Sequence, residues 1–189
     1  MVTKRKIILP FLLIGLIVLI GTNALPNAHS QEQGIFRVNE HNIRHSHNVR
    51  VQDLLPVYVS RVVDGDTIIV LINNPPAGLA RRERVRFLGV DAPETVHSSR
   101  PPEHFGWEST EFTRSALEGK NVYLAFDWNL RDRFGRLLAY VYLPDGTCFN
   151  AMQIKFGYAH AYIRFPFQFL EEFREYEAKA RAEKLGLWR

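Results

Sequence analysis

The stretch VRFLGVDAPE, Val85 to Glu94, begins as a β-strand and cannot continue as one. Val, Phe and Leu suit an extended, half-buried backbone. Pro93 then removes a backbone donor and fixes φ, so the ladder must stop beside it. Two carboxylates, Asp91 and Glu94, are left where the strand runs out, with Arg86 on the strand before them. Odd spacing on a regular strand puts Arg86 and Asp91 on opposite faces. If the two serve one site, the chain must bulge or bend between them, most naturally at Gly89.

The surrounding pattern supplies the rest of a small β-rich domain. VYVSRVV and TIIVLI are β-branched runs broken by Asp64-Gly65-Asp66, which reads as strand, tight turn, strand. NNPPAGLARR is a loop, RVRFLGV a third strand, and Thr95 to Glu103 a polar, proline-containing loop. WESTEFTRSALEG reads as a short helix ending at Gly119. NVYLAFD and LLAYVYL are the fourth and fifth strands, joined by the turn RDRFGR. NAMQIKFG is a short helix for which Asn150 is a candidate cap. Phe169, Leu170, Phe173, Tyr176 and Ala180 recur at helical spacing and mark a last helix by its core stripe. Five strands and three helices predict an α+β domain built on a five-stranded OB-type β-barrel.

The segments before this domain differ in kind. Lys4, Arg5 and Lys6 precede a mostly apolar stretch from Ile7 to Pro26, and Ala28 and Ser30 offer a small-x-small site. Residues 1–30 are therefore expected to be a signal peptide. The alternative is an uncleaved membrane anchor, since about 20 apolar residues can span a bilayer. Either way the expected location is outside the cytoplasm, secreted or in the cell envelope, with membrane contact only if the segment stays attached. Residues 31–56 are expected to be a polar linker, and residues 57–189 the folded domain. His41, His45 and His47 lie in that linker without an acid or cysteine to complete a metal site, so they read as part of a solvated tether.

Charge narrows the function. The 189 residues carry a formal net charge of +4, with 46% hydrophobic and 23% charged residues. Three of those positive charges belong to the basic triplet near the N-terminus, and residues 1–30 hold no acid, so the remainder is nearly neutral at +1. A general basic surface is not implied, and nucleic-acid binding must be argued from local charge. The one cysteine, Cys148, has no partner for an internal disulfide, so packing must hold the domain.

The local charges converge by position. Asp64 and Asp66 flank the first turn, Asp91 and Glu94 end the third strand, and Asp132, Arg133 and Arg136 precede the fifth. Each motif alone has a plain structural reading: turn chemistry, a strand stop, a solvated charged turn. Together they suit one reaction. Asp66 and Asp91 are hard oxygen donors fit for Ca²⁺, Arg86 and Arg136 are forked donors fit for a phosphate, and Glu94 is a candidate base. Phosphodiester hydrolysis needs a Lewis acid, neutralisation of the equatorial oxygens and a positioned water. An unperturbed Glu titrates near about 4.3, and a nearby cation and two arginines are expected to favour the charged form of Glu94 further.

VVDGDTIIV, VRFLGVDAPET, RDRFGRLLAYVY and EAKARAEKLGLW, in this order, resemble the thermonuclease family of staphylococcal-nuclease-like phosphodiesterases. The resemblance runs from Val57 to Arg189 and implies an OB-type barrel with three helices. It implies calcium-dependent cleavage of DNA and RNA, single-stranded or frayed, leaving 3′-phosphate ends. By position, Asp66 and Asp91 match the calcium-ligand carboxylates and Ala92 the residue lending its backbone carbonyl. Arg86 and Arg136 match the arginines that grip the scissile phosphate, and Glu94 the carboxylate assigned as base. Arg133, Phe134 and Tyr162 match substrate-binding positions. Asp64 and Thr67 would steady the metal ligands from behind, and Asp132 would orient its own turn. Two residues depart from the pattern: Ala92 stands where threonine is usual, and Phe134 where tyrosine is usual. A carbonyl ligand survives the first change. The second keeps a ring that stacks on a base and loses a hydroxyl donor.

The rival class is an exported OB module that binds nucleic acid without cutting it. The presence of both ligand acids, both arginines and the candidate base favours the enzyme. No feature calls for an oligomer, so a monomer is expected. Arg86, Arg133 and Arg136 could neutralise two or three phosphates, which predicts a slope of log K against log salt of about −2 on a single strand.

Overall fold

Alternation along Leu55, Val57 and Val59 and along Val85 and Phe87 gives the sheet an apolar inner face, around which it curls into a barrel. A computed structural model describes residues 45–95 and 101–189, all within one unit, Glu32–Arg189. The strands are β1 (Leu55–Asp64), β2 (Thr67–Leu71), β3 (Arg82–Phe87), β4 (Val90–Asp91), β5 (Asn121–Ala125), β6 (Leu137–Tyr142) and β7 (His160–Ala161). The helices are α1 (Gly106–Leu117), α2 (Phe149–Lys155) and α3 (Leu170–Ala182). The barrel runs β1-β2-β3-β6-β5 and closes by pairing β5 with β1. Its one parallel pair, β3 with β6, aligns Val85 with Leu137 and Phe87 with Ala139. This is the α+β barrel of OB type expected from the pattern of runs.

β1 shows how sequence meets curvature. Leu55, Val57 and Val59 point inward at spacing two, and Val62 then breaks the spacing yet remains buried. Register shifts between Val59 and Arg61, and again before Asp64, absorb the extra residues. Such bulges bend a strand and increase its twist, as a tight barrel requires. The core is lined by Val59, Ile68, Val70, Val85, Leu124 and Leu137, all fully buried.

The expected third strand is two. β3 ends at Phe87, and the chain turns at Leu88-Gly89 before β4 pairs with β7 in a separate ribbon. Gly89 carries the bend at φ +74°, and a Cβ there would meet Phe167 and Phe173 at 2.6–3.0 Å. Both conformation and space demand glycine. The turn is held from inside by Asn150. Its amide donates to Leu88 O at 2.9 Å and Ala139 O at 3.1 Å, and its Oδ1 accepts from Val141 N at 2.8 Å. Asn150 is therefore not the cap of α2: Cys148 occupies the cap position, with no side-chain cap bond. A fully buried Asn with three backbone partners is worth more to the fold inside than at an exposed helix end.

The helices hold the β1–β2 turn. Gly65 O accepts from Thr113 Oγ1 on α1 at 2.7 Å and from Gln153 Nε2 on α2 at 2.6 Å. A Cβ on Gly65 would meet Ser109 Oγ at 2.4 Å and Ala92 Cβ at 2.5 Å. The glycine of the Asp-Gly-Asp turn is thus required by close approach.

Part of the expected linker belongs to the fold. Residues 45–56, assigned above to the tether, contain two 3₁₀ turns, Ser46–Asn48 and Val51–Asp53, and the start of β1. Val49, Leu54 and Leu55 are buried, and the backbone N–H and hydroxyl of Ser46 both donate to Glu172 on α3. Sparse apolar residues hid this packing, because three buried apolar side chains in twelve leave no period. His45 stacks on His47 and lies 3.6 Å from Glu172. The proposed signal or anchor, residues 31–44 with His41, and most of the Thr95–Glu103 loop lie outside the described residues. Among the described residues no helix is long and apolar enough to cross a membrane. Cys148 is free and buried, and burial pushes its thiol up to about 12.

Replacing Asn150 by Ala strands Val141 N and the Leu88 carbonyl in the interior, at about 1–3 kcal/mol for each unsatisfied group. Urea denaturation should show Asn150→Ala less stable by about 2–4 kcal/mol with an unchanged m-value; a loss below about 1 kcal/mol would show that the turn is held elsewhere.

Candidate active site

Three chain segments meet where β3 ends. The β1–β2 turn contributes Asp64, Asp66 and Thr67, β3 contributes Arg86, and β4 with the residues after it contributes Asp91, Ala92 and Glu94. Asp66 is the joint. Its Oδ1 accepts from Thr67 Oγ1 at 3.0 Å, its Oδ2 accepts from Ala92 N at 2.8 Å, and Arg86 Nη1 also meets Oδ2. The Asp66 carbonyl accepts from Phe87 N at 2.8 Å. Arg86 turns its other nitrogen to Asp91 Oδ1 at 2.9 Å, so one guanidinium bridges both acids. The bend at Gly89 allows this, since Arg86 and Asp91 sit on different strands of different sheets.

The acids differ in exposure. Asp66 is buried, whereas half of the Asp91 side chain is open to solvent. Asp64 accepts from Asp66 N at 3.2 Å. Burial raises the Asp64 carboxyl above its ordinary range, and the Thr67 hydroxyl and the charges of Arg86, Arg84 and Arg136 pull it back only in part. Burial also lowers Arg86 from its usual value against the opposing pull of Asp91, and the like charge of Arg136 adds to that.

Glu94 behaves contrary to expectation. Its carboxyl is held above the ordinary range, by burial first and then by Asp64, Glu103 and Asp91, with only Arg86 opposing. Three acids near one guanidinium favour the neutral form. The sequence shows the arginines as near neighbours but gives no warning that Arg86 is already shared between Asp66 and Asp91. Glu94 is exposed, and its N–H donates to Glu103 Oε2 at 3.1 Å.

The second arginine comes from the β5–β6 loop. Asp132 organises it: Oδ1 accepts from Phe134 N at 2.9 Å and Arg136 N at 3.0 Å, and Oδ2 accepts from Arg136 Nε at 2.7 Å. Burial would push the Asp132 carboxyl up, but these bonds and the Arg136 charge outweigh it and hold it low. Phe134 stands out from the loop at 69% exposure, with Arg133 at 4.7 Å and Arg136 at 5.6 Å from its ring centre. A salt bridge invisible to local pattern pins the loop to β3: Arg131 donates to both oxygens of Glu83, at 2.8 and 3.0 Å.

A hollow of about 630 Å³ runs past these groups. Arg86, Asp91, Arg136, Phe134 and Tyr162 all line it. Tyr162 is positioned by its N–H, which donates to Gly89 O at 2.9 Å. Trp128 and Phe165, half or more exposed on the same hollow, were not singled out above. Their signal was available: each is a large aromatic in a loop, where no periodicity calls for core packing. Glu94 is not among the lining residues.

The donor set suits a hard cation. Asp66 and Asp91 offer only carboxylate oxygen and already converge on one positive group. Among the described residues no three His, Cys, Asp or Glu side chains are grouped so as to hold a metal ion. A cation held here would complete its shell with backbone carbonyl and water.

Comparison with known proteins gives this arrangement a lineage. Residues 84–189 match the family described as staphylococcal nuclease homologue. The thermonuclease of Staphylococcus hyicus is 36% identical over 131 residues, covering 69% of this chain and 73% of that protein. The thermonuclease of Staphylococcus intermedius is 37% identical over 133 residues, covering 69% and 74%. Endonuclease YncB of Bacillus subtilis is 31% identical over 182 residues, covering 89% and 83%. With more than half of its length matched by the family, the chain belongs to the staphylococcal nuclease homologues.

Proposed function

We propose that this protein is a nuclease, a phosphodiesterase that cleaves DNA and RNA with the help of Ca²⁺ and leaves 3′-phosphate ends. The observation that carries the reading is that Arg86, Arg136 and Asp91 line one hollow with exposed aromatic rings, while Arg86 bridges Asp91 to the buried Asp66 beside it. Relatives named thermonuclease and endonuclease support it.

In this reading Asp66, Asp91 and the Ala92 carbonyl hold the ion. When bound, Ca²⁺ polarises a phosphoryl oxygen and lowers the pKa of its water. The chain's own residues do the rest. Arg86 and Arg136 present planar forks to the non-bridging oxygens, where charge builds as the water attacks. Asp132 fixes the angle of one fork through Arg136 Nε. Thr67 and Asp64 hold Asp66 and its turn in place. Phe134 and Tyr162 offer ring faces to unpaired bases, which favours single-stranded or frayed substrate. Arg133 beside Phe134 adds a positive charge for a neighbouring phosphate. Glu94 accepts the proton of the attacking water or orients that water. The basic and then apolar N-terminal segment supports export, secreted or anchored in the envelope, and the domain would act as a monomer.

Metal dependence is tested on the full-length chain with single-stranded DNA. Chelation should abolish cleavage, added Ca²⁺ should restore it, and Asp66→Asn and Asp91→Asn should each remain inactive while keeping the wild-type circular dichroism. Full activity in chelator would remove the ion from the reaction.

Arg86→Lys and Arg136→Lys should each lose at least about 10²-fold in kcat, because lysine keeps the charge but loses the planar fork. Variants that keep most of their rate would reduce these arginines to background charge.

For Glu94, Gln retains a hydrogen-bond acceptor and removes basicity. A proton acceptor predicts a loss of about 10²–10⁴-fold in kcat for Glu94→Gln. Water positioning alone predicts a far smaller loss for Gln than for Ala. Equal turnover of Gln and wild type would take Glu94 out of catalysis.

A further inference from the structure

β3 carries a second feature that the reaction above leaves unused. Its residues alternate in burial: Glu83, Val85 and Phe87 are buried, Arg82 and Arg84 are exposed, and Arg86 is half-buried. Arg82 and Arg84 are exposed, and neither joins a salt bridge among the described residues. Alternate residues on a strand lie about 6.7 Å apart, close to the phosphate repeat of an extended single strand. Arg86, last in the row, is the one at the candidate active site.

A hollow of about 440 Å³ runs along this row, lined by Arg82, Glu83, Arg84, Phe134, Gly135 and Arg136. It shares Phe134 and Arg136 with the larger hollow, so the two meet at the exposed ring. The one acid in it, Glu83, is already neutralised by both Arg131 bonds and by Ala80 N at 2.7 Å. Its carboxyl, which burial alone would raise, is held low by those partners. It offers a passing phosphate little repulsion.

We propose that Arg82 and Arg84 continue from Arg86 as a phosphate ladder, binding the successive phosphates of a single-stranded nucleic acid on one side of the scissile one. The proposal rests on the nuclease reading for the position of the scissile phosphate. It raises the expected salt slope from about −2 to about −3.5, with five arginines, Arg82, Arg84, Arg86, Arg133 and Arg136, contributing about 0.7 each. The spacing suits a single strand, whose backbone can extend along the arginine row.

The test is binding of the full-length chain to a labelled oligothymidylate of about twelve nucleotides, a length within the reach of one OB fold. Fluorescence anisotropy is measured in chelator across 50–200 mM salt. The double variant Arg82→Ala/Arg84→Ala should lower the slope by about 1.4, making the fourfold salt change about 7-fold less damaging than in wild type. Arg82→Lys/Arg84→Lys should restore the slope, and a dinucleotide, too short to reach the ladder, should bind all three proteins alike. An unchanged slope in the Ala variant overturns the ladder. So does a Lys variant that behaves like Ala, or a dinucleotide that loses affinity, since either would show a distorted site instead of lost phosphate contacts. Cleavage with Ca²⁺ is read separately: a wild type that binds with the steep slope but does not cut would sink the nuclease reading and leave the ladder standing.

Discussion

The site depends on one buried carboxylate. Asp66 takes a hydroxyl from Thr67, an N–H from Ala92 and a guanidinium from Arg86, which lie on three different segments of chain. A carboxylate without such partners would cost several kcal/mol to bury. The fold meets that cost by drawing β4 and the end of β3 onto the β1–β2 turn. Arg86 then bridges Asp66 to Asp91, so the neutralising charge also gathers the two acids that would share an ion. Folding and function make the same demand on these residues. A substitution at Asp66 must therefore be judged on stability as well as activity.

The constraint reaches outward through backbone atoms. Gly65, between the two turn acids, has its carbonyl held by α1 and α2 and no room for a Cβ. Asn150 holds the Leu88 carbonyl just before the bend that delivers Asp91. The helices are thus more than a cover for the barrel. They hold both turns against the core, and catalytic geometry that must be kept within a fraction of an ångström needs such support.

Much of this was legible from the chain alone, and the reason is local. Strand runs, the Pro93 stop, the acids at strand ends and the need for a bend near Gly89 are all short-range signals, set by residues within a few positions of each other. What was missed is long-range. Asn150 has the composition of a helix cap and works instead as a core bracket, because its partners lie 9 to 62 residues away. Arg131 finds Glu83 across 48 residues, and Ser46 finds Glu172 across 126. The raised carboxyl of Glu94 belongs to the same class: it depends on which acids gather and on Arg86 being shared, and no spacing reports that.

Charge follows the same division. A net value near +1 for the chain after residue 30 argues against a broad basic sheath. It says nothing of where charges stand. On α3 and at its C-terminal cap, Glu171, Glu177 and Glu183 are paired with Arg174, Arg181 and Lys179, so these charges cancel locally. On β3, period-two alternation leaves Arg82 and Arg84 exposed, and the one intervening acid is buried against Arg131. The local field near a groove is set by this arrangement and not by the sum over the surface. Strand geometry therefore does for recognition what the bend at Gly89 does for catalysis. It converts a spacing in sequence into a spacing in space, about 6.7 Å for every second residue, and a polymer of regularly spaced phosphates is the ligand that such a row can match.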